Sequence, residues 1–173
     1  MWWLRNYKYK NFVFKLVYDL FQAVNGSSIS WYAQMKGKPC FPHGMKGIFI
    51  SGAAVIGKNS VIFHQVTIGT NTLIDSKSAG APTIGDNVYI GAGAKIIGDL
   101  TIGDNVRIGA NAVIYKDVPD NSVVTSSVMQ IQSKQNLDNR FYNFPGEWVC
   151  FDDGEFTTVT DEKRLNLLRN IKL

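Results

Sequence analysis

An isoleucine returns at every sixth residue from Ile50 to Ile68 and again from Ile84 to Ile114, a spacing that neither a 3.6-residue helix nor a two-residue strand alternation produces. Cut at that spacing, the chain gives ISGAAV, IGKNSV, IFHQVT and IGTNTL, and after a break IGDNVY, IGAGAK, IIGDLT, IGDNVR, IGANAV and IYKDVP. The ten first positions are Ile50, Ile56, Ile62, Ile68, Ile84, Ile90, Ile96, Ile102, Ile108 and Ile114. Such a period fits a solenoid. Each piece makes a short flat strand and a corner, and three pieces close one triangular coil of about eighteen residues.

The first-position isoleucines then point inward and stack coil upon coil, each burial contributing roughly 1.5 to 3 kcal/mol relative to exposure. Fifth positions are slim: Ala54, Ser60, Val66, Thr72, Val88, Ala94, Leu100, Val106, Ala112 and Val118. Corners fall to Gly57, Gly69, Gly85, Gly91, Gly103, Gly109 and the Asn or Asp residues after them, all tolerant of positive φ. A β-sandwich of short strands would want longer strands at wider spacing. Ile68 and Ile84 lie sixteen apart, six plus ten, so an excursion of ten residues, 73–82, leaves the coil and rejoins it. It reads either as a tolerated surface insertion or as part of a binding face.

With 173 residues the chain has room for one core with small appendages. Residues 1–26 read as an N-terminal amphipathic helix, 27–128 as the solenoid, and 129–173 as a C-terminal extension. The helix would group Trp3, Tyr7, Phe14, Val17, Tyr18 and Phe21 on one side and stop near Asn25-Gly26. Residues 1–46 hold Arg5, Lys8, Lys10, Lys15, Lys36, Lys38 and Lys46 against Asp19 alone, within a modest net charge of +4. Two readings stay open: a helix packed on the end of the repeat domain, or residues 1–24 resting on anionic lipid. No apolar run is long enough to span a bilayer and no signal peptide is evident, so a cytoplasmic protein is expected, at the inner face of the membrane if the lipid reading holds. Cys40 and Cys150 are too few for a disulfide framework. In the extension, WVCF, DDG and EFTTV read as a hairpin on an Asp-Gly turn, and TDEKRLNLLRN as a helix capped by Thr160 or Asp161. These tail elements would cover the open end of the solenoid and carry no chemistry.

The run from GIFISGAAVIGKNSVIFHQVTIG to PTIGDNVYIGAGAKIIGDLTIGDNVRIGANAVIYKDVPDNSVV resembles the hexapeptide-repeat acyltransferases, within them the serine acetyltransferase branch and its relatives that O-acetylate capsular or exopolysaccharide sugars. The resemblance covers about half of the chain, residues 38–124. It implies an all-β solenoid in the form of a left-handed parallel β-helix, a homotrimer, and acetyl-CoA held in a groove between subunits. Its pantetheine-contacting small residues map to Ala92 and Ala110, and the approach to the nucleotide end maps to Tyr115 and Lys116, a lysine suited to phosphate. Counting back from Ala92 by one coil plus the insertion reaches His64, which places His64, Ala92 and Ala110 at the third position of their pieces on one face.

Acetyl transfer to a hydroxyl needs a base near neutrality and donors for the developing oxyanion, and an imidazole with main-chain N–H groups supplies both. Of the two histidines, His43 before GIFIS matches the catalytic histidine of the serine branch with one extra intervening residue, and is the first candidate. His64 in VIFHQ matches the base of sugar-nucleotide N-acetyltransferases and is the second. The branch orients its histidine with an Asp about fifteen residues upstream, yet no carboxylate lies between Asp19 and Asp75, leaving Asp75, from a neighbouring subunit, or a backbone carbonyl as the orienting group. It also grips serine through an acid just before the histidine and an Arg-His pair, positions that read Pro42 and Gly80-Ala81 here. Without those charges the expected acceptor is a neutral sugar hydroxyl of a surface polysaccharide or its precursor; the alternatives are serine or another small molecule, and a noncatalytic scaffold. A zinc hydratase would need three convergent histidines, so no metal is expected, nor a nucleic-acid partner.

Overall fold

The computed structural model describes residues 12–73, 75–125, 130–133, 135, 137–143 and 146–169. Trp3, Tyr7 and the basic residues up to Lys10 lie outside them. The repeat winds into a left-handed parallel β-helix of triangular section. Face A stacks Ser28–Ile29, Phe49–Ile50, Thr67–Gly69, Lys95–Ile97 and Val113–Ile114; face B stacks Gln34–Met35, Val55–Ile56, Thr83–Ile84 and Thr101–Ile102. Face C stacks Val61–Ile62, Tyr89–Ile90, Arg107–Ile108 and Ser122–Thr125. The first coil therefore begins twenty-one residues before the regular hexapeptides, Ile29 pairing with Ile50, in SSISWYAQMK, where only an irregular lead-in with short strands is legible in sequence.

Register puts isoleucine over isoleucine, as in Ile50 on Ile68 on Ile96 on Ile114 along face A and Ile62 on Ile90 on Ile108 along face C. All ten are no more than 2% exposed, and the slim fifth-position residues fill the space between them, except Thr72, which has already left the coil. The corner glycines require a correction. Positive φ falls on the fourth-position Asn59, Asn87, Asn105 and Asn111, on Gln65 and on Gly93, and not on Gly57, Gly85, Gly91 or Gly103. Those second-position glycines are needed for room, because a Cβ on Gly91 would stand 2.6 Å from the Ala110 amide nitrogen of the next coil.

Helix α1, Phe12–Val24, closes the start of the solenoid. Tyr18 donates its hydroxyl to the Ile29 carbonyl at 2.9 Å, Gln22 accepts the Ile29 N–H, and the Tyr18 ring lies 4.1 Å from that of Trp31. That is the packed-helix arrangement; Phe12, Val13, Leu16 and Leu20 face outward. No described helix is long and apolar enough to cross a membrane.

The hairpin of the C-terminal extension does not sit over the open end, contrary to what the sequence leads one to expect. Gln130–Ser133 pairs antiparallel with Ser122–Thr125 and covers that edge of face C, while the three-stranded sheet of Phe141–Asn143, Val149–Asp152 and Glu155–Thr158 lies across face C itself. Phe151 packs with Cys40 and Val61, Phe63 contacts Tyr89 and Phe141, and the Asn139 amide donates to the Asn87 and Val106 carbonyls. The turn between the last two strands is Asp153-Gly154, with φ of 44° and 86°, the pair of positive values a two-residue hairpin demands. Helix α2, Glu162–Arg169, starts from Asp161, whose carboxylate accepts the Lys163 N–H.

Candidate active site

His43 and His64 meet. Their Nδ1 atoms are 3.0 Å apart and their ring centroids 5.0 Å, at the corner where face C turns into face A. Cys40 bridges Val61, an offset of 21, whereas Ile50 pairs with Ile68, an offset of 18, so the corner holding His43 contains three residues more than the coil above it. The extra length forms the exposed turn Pro42 to Gly47 and lets the His43 ring fold back onto His64. Edge-on contact with Phe63, 5.2 Å between centroids and 87° between planes, holds the His43 ring from a second side.

One proton bridges the two Nδ1 atoms. When His43 carries it and donates to a bare Nδ1 of His64, the Nε2 of His43 keeps its lone pair for a substrate proton. In the other tautomer His64 donates and the His43 Nε2 bears hydrogen. No carboxylate among the described residues hydrogen-bonds either ring.

Above His64 the corner is built of small residues. Gly93 donates its N–H to the His64 carbonyl at 3.0 Å, and Asn111 donates to the Ala92 carbonyl at 2.8 Å, so His64, Ala92 and Ala110 form one column. Ala92 is half-buried and Ala110 exposed, leaving a strip of main chain unshaded by long side chains. Lys95 adds a cation beside it through a 2.7 Å bond to the Gln65 carbonyl, a residue that no motif singles out in the sequence.

The remaining candidates stand elsewhere. Tyr115, 62% exposed, and the exposed Lys116 lie at the corner between faces A and B, the corner from which the excursion departs. The excursion is cinched by paired main-chain bonds between Asn71 and Gly80 at 2.8 and 2.9 Å, and Asp75 is exposed on it. Within one chain, face A separates these three residues from the histidines, so the orienting role assigned to Asp75 is not met by its own subunit.

Beside His43 opens a cavity of about 790 Å³, walled by α1, the turn before face A and the C-terminal sheet. Phe41, Met45, Phe141, Phe151 and Phe156 supply apolar lining, and the exposed Lys38 and Glu155 supply charge. The extension, expected to carry no chemistry, therefore lines the cavity beside His43. Its aromatic residues have no recognisable spacing, and only the fold brings them to His43.

Cys40 also lines the cavity, 5% exposed, and burial pushes its thiol up to about 11, opposed in part by the Lys38 ammonium. A thiol so protonated is a poor nucleophile. Intact-mass measurement after incubation of the folded protein with acetyl-CoA at neutral pH is expected to show no acetylated protein; a stable adduct on Cys40 would establish a covalent relay instead.

Known proteins resemble this chain over the same region. The bacterial transferase hexapeptide (six repeats) family matches residues 81–116. A serine acetyltransferase of Mycobacterium tuberculosis is 44% identical over 85 residues, 49% of this chain and 36% of the relative, and one of Staphylococcus xylosus is 40% identical over 121 residues, 68% and 54%. Among solved structures, Neisseria gonorrhoeae serine acetyltransferase in complex with serine aligns with a TM-score of 0.58 at 31% identity, covering 68% of this chain and 47% of that one. The chain spans only 36%, 43% and 54% of the length of three curated relatives that it matches. These relatives are named for serine, which overturns the expectation of a polysaccharide sugar as acceptor.

Proposed function

The chain belongs to the hexapeptide-repeat transferase family, and on that premise we propose that it is an acetyl-CoA-dependent O-acetyltransferase whose acceptor is serine or another small hydroxyl compound. The observation that carries this reading is the 3.0 Å contact between His43 and His64 at the foot of the small-residue column.

His43 acts as the general base through Nε2. It takes the acceptor's hydroxyl proton as that oxygen attacks the thioester carbonyl, and returns the proton to the sulfur of coenzyme A as the C–S bond breaks. His64 accepts the Nδ1–H of His43 throughout and fixes the productive tautomer, the task that a carboxylate performs in the family the sequence resembles. Ala92 and Ala110 offer main-chain atoms to the pantetheine arm.

The missing acid and Arg-His pair at the family's usual positions argue against a zwitterionic acceptor, but Lys38 and Glu155 bring opposite charges to the cavity from outside the motif. They suit a carboxylate and an ammonium respectively. Assembly as a homotrimer is supported by face A, which carries Phe49 and Val113 outward at 48% and 56% exposure and is not covered by the extension, whereas the outward residues of face B include Gln34, Thr83 and Thr101. Packing around face A sets the A/B corner of one subunit against the histidine corner of the next, so Tyr115, Lys116 and Asp75 would reach the groove from a neighbour.

Release of the free thiol of coenzyme A, followed with purified protein, is expected to require a hydroxyl acceptor and to yield O-acetylserine with serine present. No acceptor-dependent release from serine or other small alcohols would refute the proposal.

A further inference from the structure

The cavity beside His43 is larger than bare serine needs, and most of its lining is apolar. At about 790 Å³ it lies within the roughly 300 to 1,000 Å³ of sites that enclose drug-sized ligands. Serine is polar at all three of its functional ends and has a single methylene to bury. A wall of phenyl groups adds nothing to its binding.

That wall is continuous with the base. His43 meets Phe63 edge-on, Phe63 lies 6.1 Å from Phe141 at 76°, and Phe141 lies 6.3 Å from Phe156 at 79°. Phe141 and Phe156 both line the cavity, and Phe156 is 52% exposed on the open side of the hairpin. Aromatic rings in such tilted arrangements favour another ring beyond the area it buries. Charges are confined to Lys38 and Glu155, and the buried Cys40 thiol is neutral.

We infer that this cavity binds the acceptor, and that the acceptor is a hydroxyl compound bearing an apolar body, aromatic in preference to aliphatic, whose hydroxyl is presented at His43 while the body lies along Phe141 and Phe156. The inference rests on the acetyl-transfer reading and specifies its substrate class. The C-terminal sheet then selects the acceptor, while the β-helix holds the acetyl donor.

Serine methyl ester and serine benzyl ester share one hydroxyl and one ammonium, both lack the carboxylate, and they differ by a phenyl group. With acetyl-CoA saturating, the benzyl ester is expected to show kcat/KM at least tenfold above the methyl ester, about 1.4 kcal/mol of discrimination. In Phe156→Ala the ratio between the two acceptors should fall to within threefold. Taking the ratio inside one preparation cancels any loss of folded enzyme. Equal efficiency with both acceptors would overturn the cavity assignment while leaving acetyl transfer intact, and so would a preference that survives both Phe156→Ala and Phe141→Ala. Turnover of neither acceptor would count against the activity itself.

Discussion

His43→Ala is expected to lower acetyl transfer by about 10² to 10⁴, the usual worth of a positioned general base. The ring sits on an exposed turn and belongs to no core cluster, so the variant should fold and melt like the parent. Steady-state rates with saturating acetyl-CoA, beside a thermal melt of the same preparation, measure both. His64 acts one step away from the substrate. Its removal frees the His43 ring to rotate and to adopt the unproductive tautomer, with a cost of about 10-fold to 10²-fold, the scale of a small misplacement of a catalytic group. His64→Gln keeps an acceptor oxygen and should recover much of what His64→Ala loses, whereas a merely structural role would make the two alike. Should His64→Ala cost more than His43→Ala, the two histidines exchange roles and the base sits inside the repeat.

The distance between those rings also marks where the sequence stops being readable. Within the repeat, position is arithmetic: Ile62, Ile90 and Ile108 stack because each coil adds eighteen residues and one coil adds ten more, so the column of His64, Ala92 and Ala110 can be counted. His43 lies in a corner widened by three residues, where counting fails and the main-chain contacts, Cys40 bridging Val61 and the Gln65 N–H bonding to the Lys46 carbonyl, show what lies below what. Tyr115 and Lys116 were legible as motif positions, but a motif says nothing about which of three corners they occupy until the coil is closed. Phe141 and Phe156 were illegible because an antiparallel sheet docked across face C meets its partners through burial, which leaves no period in the chain. The first coil was nearly hidden for a related reason: Ile29 and Ala33 fill core positions, yet Ser and Gly around them read as loop.

The second large effect concerns the corner glycines, whose role sequence alone misassigns. If Gly57 were needed for a left-handed backbone, any residue without a branched Cβ would be moderately tolerated there; its φ is not in that region, and a methyl group would overlap the carbonyl of Gly85 on the next coil. The obstacle is backbone on both sides, held by the Gly57 N–H bond to the Ile84 carbonyl at 2.9 Å and by the stacking of Ile56 on Ile84. It cannot swing aside as a side chain would. Gly57→Ala is therefore expected to destabilise the protein by about 1 to 3 kcal/mol or more, as overpacking of a tight core does. Gly69 occupies the same position of its hexapeptide just before the excursion, but there a Cβ would meet only side chains, Ile97 at 3.5 Å and Thr67 at 3.7 Å, both ordinary van der Waals contacts. With an ordinary φ and no backbone in the way, Gly69→Ala is expected to be neutral or to stabilise by about 0.4 to 1 kcal/mol through the unfolded chain. Denaturant melts of the two variants separate the explanations: steric contact between coils predicts opposite signs at equivalent positions of one repeat, whereas a shared conformational requirement predicts the same loss at both.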